Sequence, residues 1–480
     1  MSHFISFLSR QYISLPSPFG EGSGVRLLLP FQSFLSRQYI PLPSPFGEGL
    51  GVRLLLFLLS FLPSLYLSAQ SFRKEIDAQP ELSASNYLAY PAPSGRLTPP
   101  PAGYVPVYIS HYGRHGSRYL IRKEQYIRPL RVLERADSAG VLTDAGRDAA
   151  AKIRRMLAES YDRWGELTPL GAEQHRRIAR RMYERFPSVF SGPVWVDARS
   201  TVVIRCILSM ENELQELLRC NPRLQIRHDA SEHDMYYMNL SDEKLARQKE
   251  NDEVKTTMKE WDGQHLDCRP LLSRLFTDTA YAGRNIDAPQ LAHDLFSLAG
   301  IVQNSEIRHS LSLYSLFTPD ERYRLWQRAN IWWYLHYGGA PQNGGTQPFS
   351  QRNLLRNIIT TADSCLALSR PGATLRFGHE TMVMPLTCLL DLNSSGIQVF
   401  CVDSLEAKGW IGSRIFPMAA NIQLVFYRNP RRPHADVLVK ALLNEEEATM
   451  PLPATATPFY YRWSDFKRLY LAKLDSYREP

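Results

Sequence analysis

The stretch that decides the fold is Val105-Pro106-Val107-Tyr108-Ile109-Ser110-His111-Tyr112-Gly113-Arg114-His115-Gly116-Ser117-Arg118. Its first part is apolar and rich in β-branched and aromatic residues, which predicts a strand over 105–110. The strand then delivers a short polar turn, with His115 set between Arg114 and Arg118. Guanidiniums offer planar, paired donors to an oxyanion. An imidazole among such charges resists protonation. It therefore keeps a nitrogen lone pair with which to attack a bound anion. Gly116 has no side chain, so backbone and anion are expected to come close there.

Two further polar groups follow strands downstream. Residues 122–136 and 144–161 space apolar residues at three and four, so both read as helices. In Glu166-Leu167-Thr168-Pro169-Leu170-Gly171, Thr168 followed by Pro169 is a helix start. That helix is expected to run to about Phe186, with a solvated basic face of Arg176, Arg177, Arg180 and Arg181. Residues 194–198 read as a strand and 202–218 as a helix, with Ser200 or Thr201 as its cap. Arg205 falls in the first turn of that helix, where amides and dipole favour an anion. Residues 373–378 read as another strand. His379-Glu380-Thr381 then opens a helix through Leu390. Polar residues just past the carboxyl ends of strands are where open parallel sheets hold ligands. Position 383 is valine, so the second histidine of a zinc HExxH motif is missing.

The order of elements predicts an α/β fold: a mainly parallel central sheet flanked by helices, with a mostly α-helical insertion. The α/β domain is expected in two parts, 70–219 and 331–480, separated by a helical insertion or cap at 220–330. Residues 241–263 are highly charged, and Thr318-Pro319-Asp320-Glu321 is a capping box with proline at the first helical position. Residues 422–427 and 435–443 are expected to close the sheet.

Arg-His-Gly-x-Arg after a strand resembles the active-site signature of the histidine phosphatase superfamily, in its acid phosphatase and phytase branch. The Leu-Thr-Pro-x-Gly segment, Arg-Ser-Thr-x-x-x-Arg ending at Arg205, and His379-Glu380 resemble further elements of the same branch. Most of residues 100–460 looks most like its multiple inositol polyphosphate phosphatases. The resemblance implies an exported phosphomonoesterase acting on inositol polyphosphates. His115 would be the nucleophile and Glu380 the proton donor, with Arg114, Arg118, Arg205 and His379 binding phosphate. Two positions depart from the pattern. Val202 stands where many relatives carry an acid, and Glu380 where many carry aspartate. A broad acid or sugar phosphatase, or a silent phosphate-binding relative, shares the same motifs. No metal or other cofactor is implied, because arginines carry the charge work. A proton donor that must start protonated implies an acidic to neutral optimum.

The front end reads differently. Ser6–Leu29 and Ser33–Leu56 are near-identical copies, 27 residues apart and broken by prolines and glycines. They read as repeated sequence upstream of the true start. Arg53, the apolar run 54–67 and the small-residue exit Leu67-Ser68-Ala69 then read as a signal peptide, with the mature chain starting near Gln70 or Ser71. Periplasmic or secreted placement follows, with no stable membrane insertion after cleavage. Of the net charge of +8, four arginines and two glutamates lie in residues 1–69, which leaves +6. That balance suits a small anionic phosphate ester and gives no sign of a nucleic-acid partner. None of the six cysteines forms a CxxC pair; exported proteins favour disulfides, whereas Cys206 and Cys388 sit in apolar helical patterns that suit buried thiols.

Overall fold

Strand β1 (Val105–Arg114) lies at the centre of the sheet. The structure is a computed structural model that describes residues 72–238 and 242–479. The repeat and the signal-like run at 1–69 lie outside the described residues. After β1 come α1 (Glu124–Ser138), α2 (Asp144–Glu159), α3 (Pro169–Arg185), β2 (Trp195–Ser200), α4 (Ile204–Cys220) and β3 (Gln225–Asp229). Between β3 and the next strand the described elements are all helical, the longer ones including α5 (Ala288–Ile301), α6 (Pro319–Tyr337) and α7 (Arg352–Leu366). Then follow β4 (Gly372–Gly378), α8 (Glu380–Leu390), β5 (Asn421–Arg428), β6 (Leu438–Leu443), β7 (Glu446–Ala448), β8 (Tyr461–Arg462) and α9 (Trp463–Ser476).

The sheet order is β3-β2-β4-β1-β5-β6-β7, with β8 also on β6. Strands β3, β2, β4 and β1 pair in parallel, whereas β5, β6, β7 and β8 are antiparallel additions. Strand β4 is buried along its whole length, as expected of a strand covered by helices on both faces. Register sets up the site. Arg114 pairs with Gly378, and Ser200 pairs with Phe377. Three strands thus end at one level, and the residues that follow them, His115, Thr201 and His379, emerge side by side.

Alternation along β1 divides the interior. Tyr108 and Tyr112 join a core with α7, α8 and α9, while Ile109 joins a second core with α3 and α4. A third core lies off the sheet and joins α1 and α2 to residues 271–326, together with Phe72 and Ile76. Helix α6 belongs to two of them. Trp326, fully buried, sits in the helical core, while Ile331, Trp333 and Tyr334 sit in the sheet core.

Composition therefore drew boundaries at 220 and 330 that the elements do not follow. Strand β3 comes after 220, and α6 runs across 330. The α1–α2 pair, read from sequence as part of the sheet domain, packs with helices far along the chain. The Thr318 capping box forms as expected. The basic face of α3 is not a free solvated surface. Arg176 and Arg177 pair with Glu173, Arg180 with Glu216, and Arg181 with the buried Glu445. All six cysteines are free, with Cys206 and Cys388 buried. Among the described residues no helix is long and apolar enough to cross a membrane.

Candidate active site

The turn after β1 is pinned on both sides by backbone hydrogen bonds. Arg114 N donates to Ala420 O (2.7 Å), His115 N donates to Gly378 O (2.9 Å), and Ala419 N donates to His115 O (3.0 Å). Two helices then press on the turn. The Gly116 amide donates to Ser209 Oγ of α4 at 3.1 Å, and the Ser117 amide donates to Gln174 Oε1 of α3 at 2.9 Å. At the start of α3, Thr168 caps the helix by accepting from Gly171 N (3.2 Å), while its own amide donates to Ser117 O (2.9 Å). A Cβ on Gly116 would lie 2.5 Å from Gly171 O, and one on Gly171 would lie 2.2 Å from Ser117 O. The need for glycine at 116 is thus set by contact with the start of α3. The approach of an anion, the reason expected from sequence, is not what fills that space.

The six residues singled out from sequence come together. The rings of His115 and His379 have centroids 5.5 Å apart. Glu380 reaches between the arginines, with Oε2 3.1 Å from Arg114 Nε and 3.3 Å from His115 Nε2, and Oε1 3.8 Å from Arg118 Nη2. Arg205 projects from the first turn of α4 and brings Nη2 to 3.4 Å from His379 Nδ1. A guanidinium only donates, so His379 Nδ1 is the acceptor. The other nitrogen, Nε2, then carries the hydrogen and donates to Thr201 Oγ1 at 3.1 Å. His115 Nδ1 lies 2.9 Å from Gly116 O. A carbonyl only accepts, so Nδ1 carries the hydrogen and Nε2 presents its lone pair toward Glu380.

Burial and charge act together here. Burial, reinforced by Arg205 and Arg114, pulls the His115 imidazole down to about 3 against the opposing pull of Glu380. His379 is held well below the usual histidine range by burial, then by His115 and Arg205. Burial alone would raise the Glu380 carboxyl, but Arg114, His115 and Arg118 outweigh it and hold it well below its ordinary value. Arg114 is fully buried and its guanidinium is brought down to about 10, chiefly by burial. Buried donors without a hydrogen-bond partner cost about 1–3 kcal/mol each, and more when charged. Arg114 Nη2, Arg118 Nε and Arg205 Nε are in that state. An oxyanion among them satisfies what the protein leaves open.

His115, His379 and Glu380 also bring possible ligand atoms within 4.8 Å of one another. Three guanidiniums beside them repel a divalent cation, so the electrostatics favour an anion.

Sequence reasoning missed several parts. Ser200 belongs to β2 and neither it nor Thr201 caps α4, whose N-cap is Val203 without a side-chain bond. Thr201 turns instead to His379, because three residues separate the end of β2 from the start of α4 at Ile204. Cys206 Sγ, read only as a packed thiol, lies 3.4 Å from His379 Nε2 and donates to Gly378 O at 3.2 Å. Thr201 lies within the Arg-Ser-Thr-x-x-x-Arg segment and Cys206 directly follows it, so proximity to Arg205 was the signal available for them. The carbonyl of Asn86, which accepts from Arg114 Nη1 at 2.8 Å, carries no side-chain signature at all.

The family model of the histidine phosphatase superfamily (branch 2) matches residues 114–444. The chain belongs to that superfamily. Among solved structures, it is similar to the multiple inositol polyphosphate phosphatase of Bifidobacterium longum in complex with phosphate, with TM-score 0.68 and 19% identity over 82% of this chain and 98% of that one. The same enzyme in complex with inositol hexasulfate gives 0.63 and 19% over 82% and 98%. The phytase from D. castellii gives 0.60 and 15%, over 82% of this chain and 85% of that one. At these identities the likeness is one of fold. Comparison with curated proteins gave no match.

Proposed function

We propose that this protein is an exported phosphomonoesterase that hydrolyses inositol polyphosphates through a phosphohistidine intermediate. The observation that carries the reading is the convergence of three guanidiniums, from segments near 115 and 205, and of His379 and Glu380, from a third, on a buried, neutral His115. Arg114, Arg118 and Arg205 hold the phosphate, His379 joins them by turning its one N–H from Thr201 Oγ1 to a phosphate oxygen, and His115 Nε2 attacks phosphorus. Glu380 protonates the leaving alkoxide, then takes a proton from the water that cleaves the phosphohistidine. The dianion of the substrate loads this acid. Negative charge bound among the arginines cancels the field that holds Glu380 ionised and adds a like charge beside it, and both raise its pKa. The phosphate and inositol hexasulfate complexes of the Bifidobacterium longum relative support a phosphorylated cyclitol as substrate. The helices between β3 and β4 act as the cap that chooses among esters.

A broad monoesterase is the second reading, favoured by one observation. Val202, Ile204 and Leu208, the neighbours of Arg205 along the chain, are exposed and apolar. A ligand with many phosphates is better served by cations there. Two measurements decide. Labelled phosphate should be trapped as an acid-labile adduct on the wild type and not on His115→Ala; a wild type with neither label nor turnover ends the enzyme reading. Phosphate release should be faster from phytate than from simple monoesters across pH 3–8, and the reverse order selects the second reading.

A further inference from the structure

Residues 84–89 lie outside the 114–444 segment matched by the family model, yet they touch two of the arginines. The Asn86 carbonyl accepts from Arg114 Nη1 at 2.8 Å. The Arg118 guanidinium lies over the Tyr87 ring, 5.6 Å from its centroid. The Tyr87 carbonyl accepts from Asn304 Nδ2 at 2.7 Å, and Asn304 Oδ1 accepts from Ser117 Oγ at 2.6 Å. The strap is thus tied back to the catalytic turn through one buried asparagine. Further along, Met418 N donates to Leu88 O at 2.8 Å, and Ala89 N donates to Gln303 Oε1 at 2.9 Å. The strap enters through Ser85, buried with φ 54° and ψ −124°, a conformation that costs about 1–3 kcal/mol for a residue with a Cβ. Such a residue persists only where its surroundings fix it.

We infer that the 85–88 strap is part of the phosphate site, with Tyr87 a positioning residue that aims Arg118 at the anion through its ring face. Arg118 needs such help. Its Nη1 is spent on the Tyr119 carbonyl at 2.9 Å, and Nη2 is only loosely held by Glu380 at 3.8 Å. Its Nε has no hydrogen-bond partner. The ring face attracts the guanidinium and fixes its plane without occupying an N–H, so the donors stay available. The inference rests on Arg118 being a phosphate contact.

The test reads inorganic phosphate as a product inhibitor, with KM and kcat on one monoester and the thermal midpoint of each variant. Tyr87→Leu should raise the phosphate Ki and KM together by about three- to tenfold, with a smaller change in kcat. Tyr87→Phe, which keeps the ring face, should stay within about twofold. In an Arg118→Ala background, Tyr87→Leu should add less than about twofold, because the partner through which it acts is gone. An unchanged Ki in Tyr87→Leu overturns the inference. So does equal damage by Phe and Leu, or a full effect in the Arg118→Ala background. If Arg118→Ala itself leaves Ki unaltered, the phosphate role of Arg118 fails and takes the inference with it. Should Tyr87→Leu not fold, Gln303→Leu, which drops the acceptor for the Ala89 amide and leaves the Asn304 bond to Ser117 in place, makes the same test: a raised Ki supports the strap and an unaltered Ki overturns it.

Discussion

His111 on β1 and His115, four residues further on and just past the end of that strand, head two buried groups made of similar parts. In the outer group His115 and His379 face Glu380, with His115 Nε2 3.3 Å from the carboxylate. In the inner group His111 and His175 face Glu213, at 3.8 and 2.7 Å. All three inner side chains are fully buried. The same helices serve both, since Ser209 of α4 braces Gly116 one turn before Glu213, and α3 carries His175 as well as Gly171. The difference is the guanidiniums. Around Glu213 the ion pairs among the described residues are to imidazoles, whereas Glu380 meets Arg114 and Arg118. Two imidazoles and one carboxylate can settle their own charge, so the inner group ties strand to helices. Three arginines leave a positive excess, which only an anion from outside can balance.

The largest effect separates the two carboxylates. Glu380→Gln should lower kcat on an alkyl phosphate by about 10²- to 10⁴-fold, the range for removing a general acid. It should lower kcat much less on an aryl phosphate, whose leaving group needs no proton. Glu213→Gln keeps an acceptor for His175 and should leave kcat within about threefold. Equal losses at both positions in steady-state assays would erase the distinction.

Next in size is the dependence of stability on pH. The His115 pKa is about 3 when folded, against an ordinary 6.5. Between those values the unfolded chain binds the proton and the folded one does not, so stability falls as pH drops from 6.5 towards 3. From pH 6.5 to 4 this amounts to at most about 3 kcal/mol. The depressed Glu380 carboxyl adds a further loss below its ordinary value. His111, lowered by burial, works in the same direction. Urea midpoints at pH 7 and 4 should converge in His115→Gln relative to wild type. Parallel curves for the two proteins would show that His115 is not held neutral.

A smaller effect tests whether the groups move together. Gly171→Ala places a methyl 2.2 Å from Ser117 O, on the outer turn and away from Glu213. It should cost about 1–3 kcal/mol of stability, as overpacking does, and lower kcat about tenfold by displacing the turn. Unaltered kinetics would mean that the turn yields without moving His115. The smallest effect lies in the strap beside the outer group. Ser85→Gly relieves the positive φ and should raise the unfolding free energy by up to about 1 kcal/mol, read from denaturant midpoints. A loss of stability there would show that the serine side chain outweighs the strain.

Much of the outer group was legible before folding, because its residues sit in short polar runs next to strands. Arg114, His115 and Arg118 share one turn, Arg205 follows a strand by a few residues, and His379-Glu380 follows another. The inner group was not legible. His111 is hidden in an apolar strand, His175 on a basic helix and Glu213 on an amphipathic one, and no spacing joins them. The antiparallel half of the sheet was placed by its apolar runs, but β3, β7 and β8 are too short or too exposed to signal themselves.

Local sequence alone thus determined the strand-to-turn units, the helix starts at Thr168 and Thr318, and the kind of chemistry the polar runs support, since each depends on residues within a few positions of one another. Tertiary structure decided what those units meet. It aligned the ends of β1, β2 and β4 so that His115, Thr201 and His379 emerge at one level. It set Gly116 against Gly171, joined α1 and α2 to helices over a hundred residues away, and laid Tyr87 under Arg118. The physical reason is that hydrogen-bond register and close packing relate residues by distance in space, and a periodic pattern along the chain carries no record of that distance.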